Sequence, residues 1–423
     1  MNDYMERISD EKLRLLLKAK GAVLIEGPKW CGKTRSAEKH ANSVLFMQDP
    51  DMQEQHIDTA KTKPSILLRG ETPRLIDEWQ DAPILWNAVR HEVDKRGKRG
   101  QFILTGSVIP ERTDNMHTGT GRIARMKMWP MSLYESNDST GDISLKDLFA
   151  GNYNADNTGL CEKTLEEYAY LLNRGGWPEA VLEENRKLSV LIARDYLESV
   201  INEDISRADG VYKNPDRVRA LMRSLSRNIS SEAKNTTIQN DLAMNDEELS
   251  KATVEQYIKA LRKIFVVDDL PAWSAKLRSK TAMRTSDKRH FIDPSIAAAS
   301  MGASVERLMS DFNTFGFLFE SLAVRDLRVY ADSIDGRVYH YRDRTGFEVD
   351  AIIELFDGRW GACEIKMGAG YIDEAAECLL KLKKKIDTEK MNEPSFLAVI
   401  TATKYAFQME NGVWVVPLGC LKP

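Results

Sequence analysis

Apolar and polar positions change their period several times along the chain, and the changes divide it. Residues 22–26, AVLIE, form a short apolar run that leads into the glycine-bounded loop GPKWCGKT and then a helically spaced stretch to 41. A short apolar run bounded by turn signals suits a strand buried on both faces. RLIDEWQDAP (74–83) and QFILTGS (101–107) repeat the pattern, apolar first and polar at the carboxyl end. Such strands alternating with helical stretches predict an α/β fold with a parallel sheet. GNYNADNTG (151–159) has no period, is rich in Gly and Asn, and reads as a surface connection. Between 164 and 205 apolar residues recur at helical spacing, interrupted by Gly175, Gly176 and Pro178, which predicts a helical lid. From Asp216 come three short helical stretches, the second at 236–244 and the third at 250–273, followed by VVDDL and AWSAKLRSKTAMRTSDKRHFID. Beyond 301 the pattern predicts a helix (316–331), strands at 337–343, 347–355 and 359–368, and a helix (371–386).

Composition narrows the class. With 423 residues, 42% hydrophobic and 29% charged, the chain suits a soluble protein of several domains. No apolar run approaches the roughly 20 residues that span a bilayer. The start, MNDYMERISDEK, lacks the apolar core of a secretory signal, so a cytoplasmic protein without a membrane partner is expected. Cys31, Cys161, Cys363, Cys378 and Cys420 are scattered without C-x-x-C spacing, which points to reduced thiols rather than a disulfide framework or zinc ribbon. A net charge of −4 gives no global attraction for nucleic acid. A local basic patch exists: Lys276, Arg278, Lys280, Arg284, Lys288 and Arg289 face only Asp287. Three helices followed by strands and a basic wing are the order of a winged helix, which binds DNA with its third helix in the major groove and its wing on the backbone. The same fold docks protein partners, and both readings stay open.

Gly27-x-x-x-x-Gly32-Lys33-Thr34 lies between an expected strand and an expected helix, the order a P-loop requires. In that motif the loop backbone of Gly27, Pro28, Lys29, Trp30, Cys31, Gly32, Lys33, Thr34 and Arg35 closes on phosphate oxygens of ATP. Lys33 reaches the β/γ-phosphates, and Thr34 ligates Mg²⁺ at a helix N-terminus. Asp77 and Glu78 end the next strong strand. Asp77 is expected to hold Mg²⁺ through water, and Glu78 to polarise the attacking water. Thr105 or Ser107, at the end of the neighbouring strand, is the candidate γ-phosphate sensor. In HTGTGRIARMKMWPMSLYE (117–135), Arg122 or Arg125 is the candidate arginine finger, acting in the same or a neighbouring subunit of a homo-oligomer. Arg174, before the glycine break, is either a lid arginine that approaches nucleotide or a helix-end charge.

The stretches IEGPKWCGKT, LIDEWQDAP, FILTGS, GRIARMKMWPMSLYE and LLNRGGWPEA resemble the AAA-type ATPases of bacteria and archaea that carry a C-terminal domain of uncharacterised function. LRKIFVVDDLPAW and FIDPSIAAA also fit that resemblance, which extends over nearly the whole chain. It implies a five-stranded, mostly parallel P-loop sheet with a helical lid behind it, ATP and Mg²⁺.

At the far end, Asp350, Glu364 and Lys366 fall as D-x₁₃-E-x-K across two expected strands, which resembles the PD-(D/E)xK nuclease core. Strand alternation puts Glu364 and Lys366 on one face. Asp350 and Glu364, with Glu320 from the preceding helix, are candidate ligands for a second Mg²⁺ or Mn²⁺ site, since hard cations take carboxylate oxygens. Lys366 would orient or help deprotonate a water attacking a phosphodiester. The alternative is a retained fold used for binding or regulation. The expected organisation is a P-loop ATPase domain (1–150), a helical lid (151–215), a winged helix (216–300) and a small α/β restriction-endonuclease-like domain (301–423).

Overall fold

The computed structural model describes residues 4–109, 118–153, 156, 158–244, 249–274, 286–386 and 391–423. Contacts divide the chain into two units. One holds Met1–Pro130, Asn202–Lys213 and Ile258–Val266; the other holds Met131–Ile201, Asn214–Tyr257 and Val267–Pro423.

In the first unit, β1 (Ala22–Glu26), β2 (Ser43–Phe46), β3 (Arg74–Asp77), β4 (Phe102–Gly106) and β5 (Ile123–Lys127) form one sheet in the order β2-β3-β4-β1-β5. Every pairing is parallel. The apolar runs have the physical reason expected of them, because both faces are covered. Ala22 and Leu24 of β1 point into a cluster with Ile76, Leu104, Trp79 and Trp86, while Val23 and Ile25 point into another with Leu75, Ile103, Met126 and Met128. A period of two thus splits one strand between two cores. Each fully buried aliphatic side chain contributes about 1.5–3 kcal/mol.

The second unit is built on a seven-stranded mixed sheet. Its strands are β7 (Gly159–Leu160), β8 (Gly336–Arg342), β9 (Glu348–Leu355), β10 (Trp360–Lys366), β11 (Phe396–Thr401), β12 (Tyr405–Gln408) and β13 (Trp414–Pro417), in the order β7-β12-β13-β11-β10-β9-β8. β10 is antiparallel to β9 and parallel to β11. The helix Ile372–Lys385 packs Ala375, Ala376, Leu379 and Leu382 against Trp360, Ala362 and Val399 of the sheet. A two-stranded sheet pairs β6 (Ile143–Ser144) with β14 (Leu421–Lys422) in parallel.

Two expectations about organisation change. Residues 131–150, expected in the ATPase domain, belong to the second unit. β6 pairs there, and the Leu133 amide donates to Asp326 Oδ2 at 3.0 Å. The expected lid helices, Leu165–Arg174, Pro178–Leu182 and Arg186–Ser199, also lie in the second unit. Gly176 fixes them: its amide donates to Asp293 Oδ2 at 3.0 Å, and a Cβ there would sit 2.1 Å from the Met131 carbonyl oxygen. Trp177 Nε1 donates to Ser295 Oγ at 3.0 Å.

The helices Pro215–Arg227, Asn235–Ala243 and Lys251–Lys263 follow in the expected order, and isolated antiparallel bridges join Val267 to Phe291 and Leu270 to Lys288. Lys276, Arg278, Lys280 and Arg284 of the expected basic wing lie outside the described residues. Lys288 and Arg289 do not belong to an exposed patch, since both are buried. Arg289 bonds to Asp269 Oδ2 at 3.0 Å and Asn235 Oδ1 at 2.6 Å. Among the described residues, no helix is long and apolar enough to cross a membrane.

Candidate active site and a carboxylate-lysine cluster

β1 delivers the chain to the loop at the carboxyl edge of the first sheet. Gly27 must be glycine, because a Cβ would sit 2.3 Å from the Met128 carbonyl oxygen. Gly32 takes a left-handed φ of 100° and starts the helix Lys33–His40. Lys33 is buried and its ammonium donates to the Pro28 carbonyl at 2.7 Å, over the loop itself. Thr34 Oγ1 donates to Asp77 Oδ1 at 2.7 Å, so a helix-start hydroxyl and a strand-end carboxylate meet. Burial, with the neighbouring Glu78, raises the Asp77 carboxyl above its ordinary range despite the hydroxyls that bond it.

Glu78 sits in the left-handed region at φ 52° and ψ 49°, which turns its side chain out of the strand line. Its amide donates to Thr105 Oγ1 at 3.2 Å, and its carboxylate accepts from Ser107 Oγ at 2.9 Å and from Gln80 Nε2. Thr105, fully buried, donates to Asp77 Oδ1 at 2.6 Å. The two hydroxyls named as γ-phosphate sensors therefore hold the two carboxylates. Gln80 and two further residues had no signal in the sequence. Arg7, buried, donates to the Cys31 carbonyl at 2.7 Å and the Trp129 carbonyl at 2.9 Å. Asp204 pairs with Lys29 at 2.6 Å.

Other loop residues are placed less centrally. Trp30 is exposed, Cys31 is buried, and the Arg35 side chain turns outward to Glu38 at 3.4 Å. Of Arg35, only the backbone in the first helical turn is positioned to face a phosphate. Arg122 lies at the amino end of β5, where its carbonyl accepts from the Ala22 amide at 3.1 Å, and its guanidinium pairs with Asp94 at 2.8 Å. That is the sheet edge opposite the loop, so Arg122 does not reach the loop of its own chain. Arg125 pairs with Glu26 at 2.6 Å and lies over the Trp86 ring. Arg174 is buried in the second unit and pairs with Asp138 at 2.7 Å.

In the second unit Glu320, Asp350, Glu364 and Lys366 do converge. Lys366 Nζ lies 2.9 Å from Asp350 Oδ2 and 2.8 Å from Glu364 Oε2, and the Ile365 amide donates to Asp350 Oδ2 at 2.9 Å. Lys288 joins them, its ammonium 3.1 Å from Glu320 Oε1 and 3.3 Å from Asp350 Oδ1. Burial and the nearby Asp350 carboxylate push Glu364 up to about 8. Burial above all pushes Glu320 up to about 7. Lys288 and Lys366 hold the Asp350 carboxyl, though buried, well below the usual carboxylate range.

The two clusters differ in their fit to a divalent cation. Thr34 and Asp77 present adjacent oxygens beside a phosphate-binding loop, a donor set that suits Mg²⁺. At Glu320 and Asp350 the position between the carboxylates belongs to an ammonium, and the donor set does not fit the expected second metal. Among the described residues, no group of three or more His, Cys, Asp or Glu side chains is disposed to hold a metal ion.

Residues 19–137 match the family described as AAA domain. The first unit carries an AAA-type P-loop domain. Residues 165–307 and 315–421 match two families, each described as a domain of unknown function (DUF8612 and DUF4143). No curated protein matches the chain. Among solved structures, the Walker-type ATPase of Pyrococcus abyssi is similar at 13% identity and TM-score 0.44, over 70% of this chain and 96% of that one. A signal-transduction ATPase with numerous domains and a tetratricopeptide repeat sensor, from Pyrococcus horikoshii, is similar at 15% identity and TM-score 0.25, over 79% of this chain and 50% of that one. In the AAA-type domain, Lys33, Thr34, Asp77 and Glu78 stand at one sheet edge, where β1 and β3 end. The carboxylate-lysine cluster falls where the two other family matches meet, since Lys288 belongs to one and Glu320, Asp350, Glu364 and Lys366 to the other.

Proposed function

We propose that the AAA-type domain binds ATP with Mg²⁺ and hydrolyses it. The contact between Thr34 Oγ1 and Asp77 Oδ1, at 2.7 Å, carries the reading, because it joins the loop to the strand that must share a cation with it. Thr34 and Asp77 would hold Mg²⁺, which when bound neutralises charge on the phosphate oxygens. The loop amides and the Lys33 ammonium bind the phosphates, and the helix behind Gly32 adds its N-terminal dipole. Glu78 orients the attacking water and accepts its proton. Ser107 and Gln80 hold that carboxylate in place, and Thr105 holds both the Asp77 side chain and the Glu78 backbone. Arg122 and Arg125 are engaged inside the chain, so an arginine finger drawn from them would come from a neighbouring copy. In Lys33→Ala, ATP turnover should vanish while far-UV circular dichroism stays unchanged. Undiminished hydrolysis by that variant overturns the reading.

We further propose that nucleotide state controls what the segment 216–300 holds, as a winged helix that binds DNA. Three successive helices followed by antiparallel bridges support this. DNA affinity should fall steeply with salt, because phosphate contacts release counterions. Salt-independent capture of a protein partner without DNA binding would replace it with the docking alternative.

A further inference from the structure

Lys288 does not stand on an exposed basic wing. Its side chain is 5% exposed and its ammonium lies between Glu320 and Asp350. The backbone fixes it there: Lys288 and Leu270 exchange amide-carbonyl bonds of 2.9 and 2.8 Å. Around it both oxygens of Asp350 and of Glu364 have neighbours. Asp350 Oδ1 faces Lys288, and Asp350 Oδ2 accepts from the Ile365 amide and Lys366. Glu364 Oε2 faces Lys366, and Cys378 Sγ lies 3.6 Å from Glu364 Oε1.

We propose that Lys288 is a built-in cation that closes this carboxylate cluster to divalent metal. The inference rests on reading the C-terminal sheet as nuclease-like, with Glu320, Asp350 and Glu364 as the expected ligands. A divalent ion takes carboxylate oxygens directly, so it competes with both lysines for the same atoms. It would also bring two positive charges beside a buried ammonium that has no solvent to screen it. The protein as folded therefore keeps the cluster in an ion-paired, metal-free state. Removing the Lys288 charge leaves Glu320 and one Asp350 oxygen without their partner, and a cation from solution can satisfy both.

The test uses Mn²⁺ alone, without nucleotide, followed by electron paramagnetic resonance on full-length protein carrying Asp77→Asn to remove the P-loop ligand. That parent should show no bound Mn²⁺ that depends on Asp350. Adding Lys288→Met should create one site, with affinity raised at least about tenfold, and Asp350→Asn should abolish it. Lys288→Gln, which keeps a hydrogen-bonding side chain of similar length, is read in the same way should Lys288→Met not fold. An Asp350-dependent Mn²⁺ site in the parent overturns the proposal while leaving the nuclease-like reading intact. No site in the parent or in the folded Lys288 variants overturns both.

Discussion

Thr105 Oγ1 donates to Asp77 Oδ1 at 2.6 Å, and the same oxygen accepts from the Glu78 amide at 3.2 Å. One buried hydroxyl on β4 thus sets the side chain of one carboxylate and the backbone of the next. Thr105→Val keeps the shape and removes the hydroxyl. It should cost about 1 kcal/mol of stability, since it leaves a half-buried amide short of its partner and a half-buried carboxylate with one hydroxyl fewer. ATP turnover should fall by about a hundredfold through misplaced carboxylates, with nucleotide affinity less affected. Steady-state kinetics and a nucleotide titration separate the two effects. Equal losses in affinity and turnover would instead point to general damage of the loop.

Gly27→Ala should weaken ATP binding more than it weakens the sheet. The added Cβ would stand 2.3 Å from the Met128 carbonyl and 3.3 Å from Cys31 Sγ, and the first of these is backbone that cannot rotate away. Overpacking of this kind costs about 1–3 kcal/mol. A lowered melting temperature together with loss of fluorescent nucleotide binding checks it.

Arg325 is the stability-critical side chain of the second unit. It bonds Asp293 Oδ2 at 2.9 Å and Asp326 Oδ1 at 2.7 and 2.9 Å, with all three side chains buried. Arg325→Met leaves two buried carboxylates without their cation and should cost about 3–5 kcal/mol. In urea the transition of this variant should occur at lower denaturant. A change below the error of the midpoint would show that the network is slack.

The carboxylate-lysine cluster should make stability depend on pH. Glu364 is pushed up to about 8 by burial and by Asp350, and Glu320 to about 7 chiefly by burial. Lys288, Lys366, Asp350, Cys378 and Cys363 are other titratable groups beside them. The folded state therefore holds a proton on each of the Glu364 and Glu320 carboxyls that the unfolded chain releases near the ordinary value of 4.5. Its stabilisation is complete below that value and is lost as pH rises through about 7 and 8. Glu364→Gln, which mimics the protonated form, should flatten this decline. Chemical denaturation midpoints across the range would show it, and a decline unchanged in the variant would assign the proton elsewhere.

What the sequence disclosed depended on how local the cause was. The P-loop, β1, β3 and β4 were legible because strand, turn and helix start are encoded within a few residues of one another. The helix Phe312–Ser333 and strands β8 to β10 were legible for the same reason, and the D-x₁₃-E-x-K spacing placed Asp350, Glu364 and Lys366 together. Lys288 was not legible, because its partners lie 32 and 62 residues away and a lysine among basic neighbours reads as solvated. The division after Pro130 was hidden too. The nearest turn-rich stretch, SNDSTGD (136–142), falls inside the second unit, and GNYNADNTG, which looks like a domain linker, ends at β7 in that unit's own sheet. Thr105 and Ser107 were found as polar strand-end residues, but only packing decided that they hold Asp77 and Glu78.

The pairing of Gly159–Leu160 with β12 has a consequence in time. A chain made from its amino end can complete the parallel sheet of the first unit soon after Lys127 emerges, since every strand of that sheet is then present. Strands β6 and β7 have no such option, because their partners β14 and β12 come far later in the chain. At translation rates of about 5–20 residues per second, those two strands wait on the order of ten to fifty seconds with their edges unpaired. During synthesis the interval is one in which a chaperone would find this protein half finished.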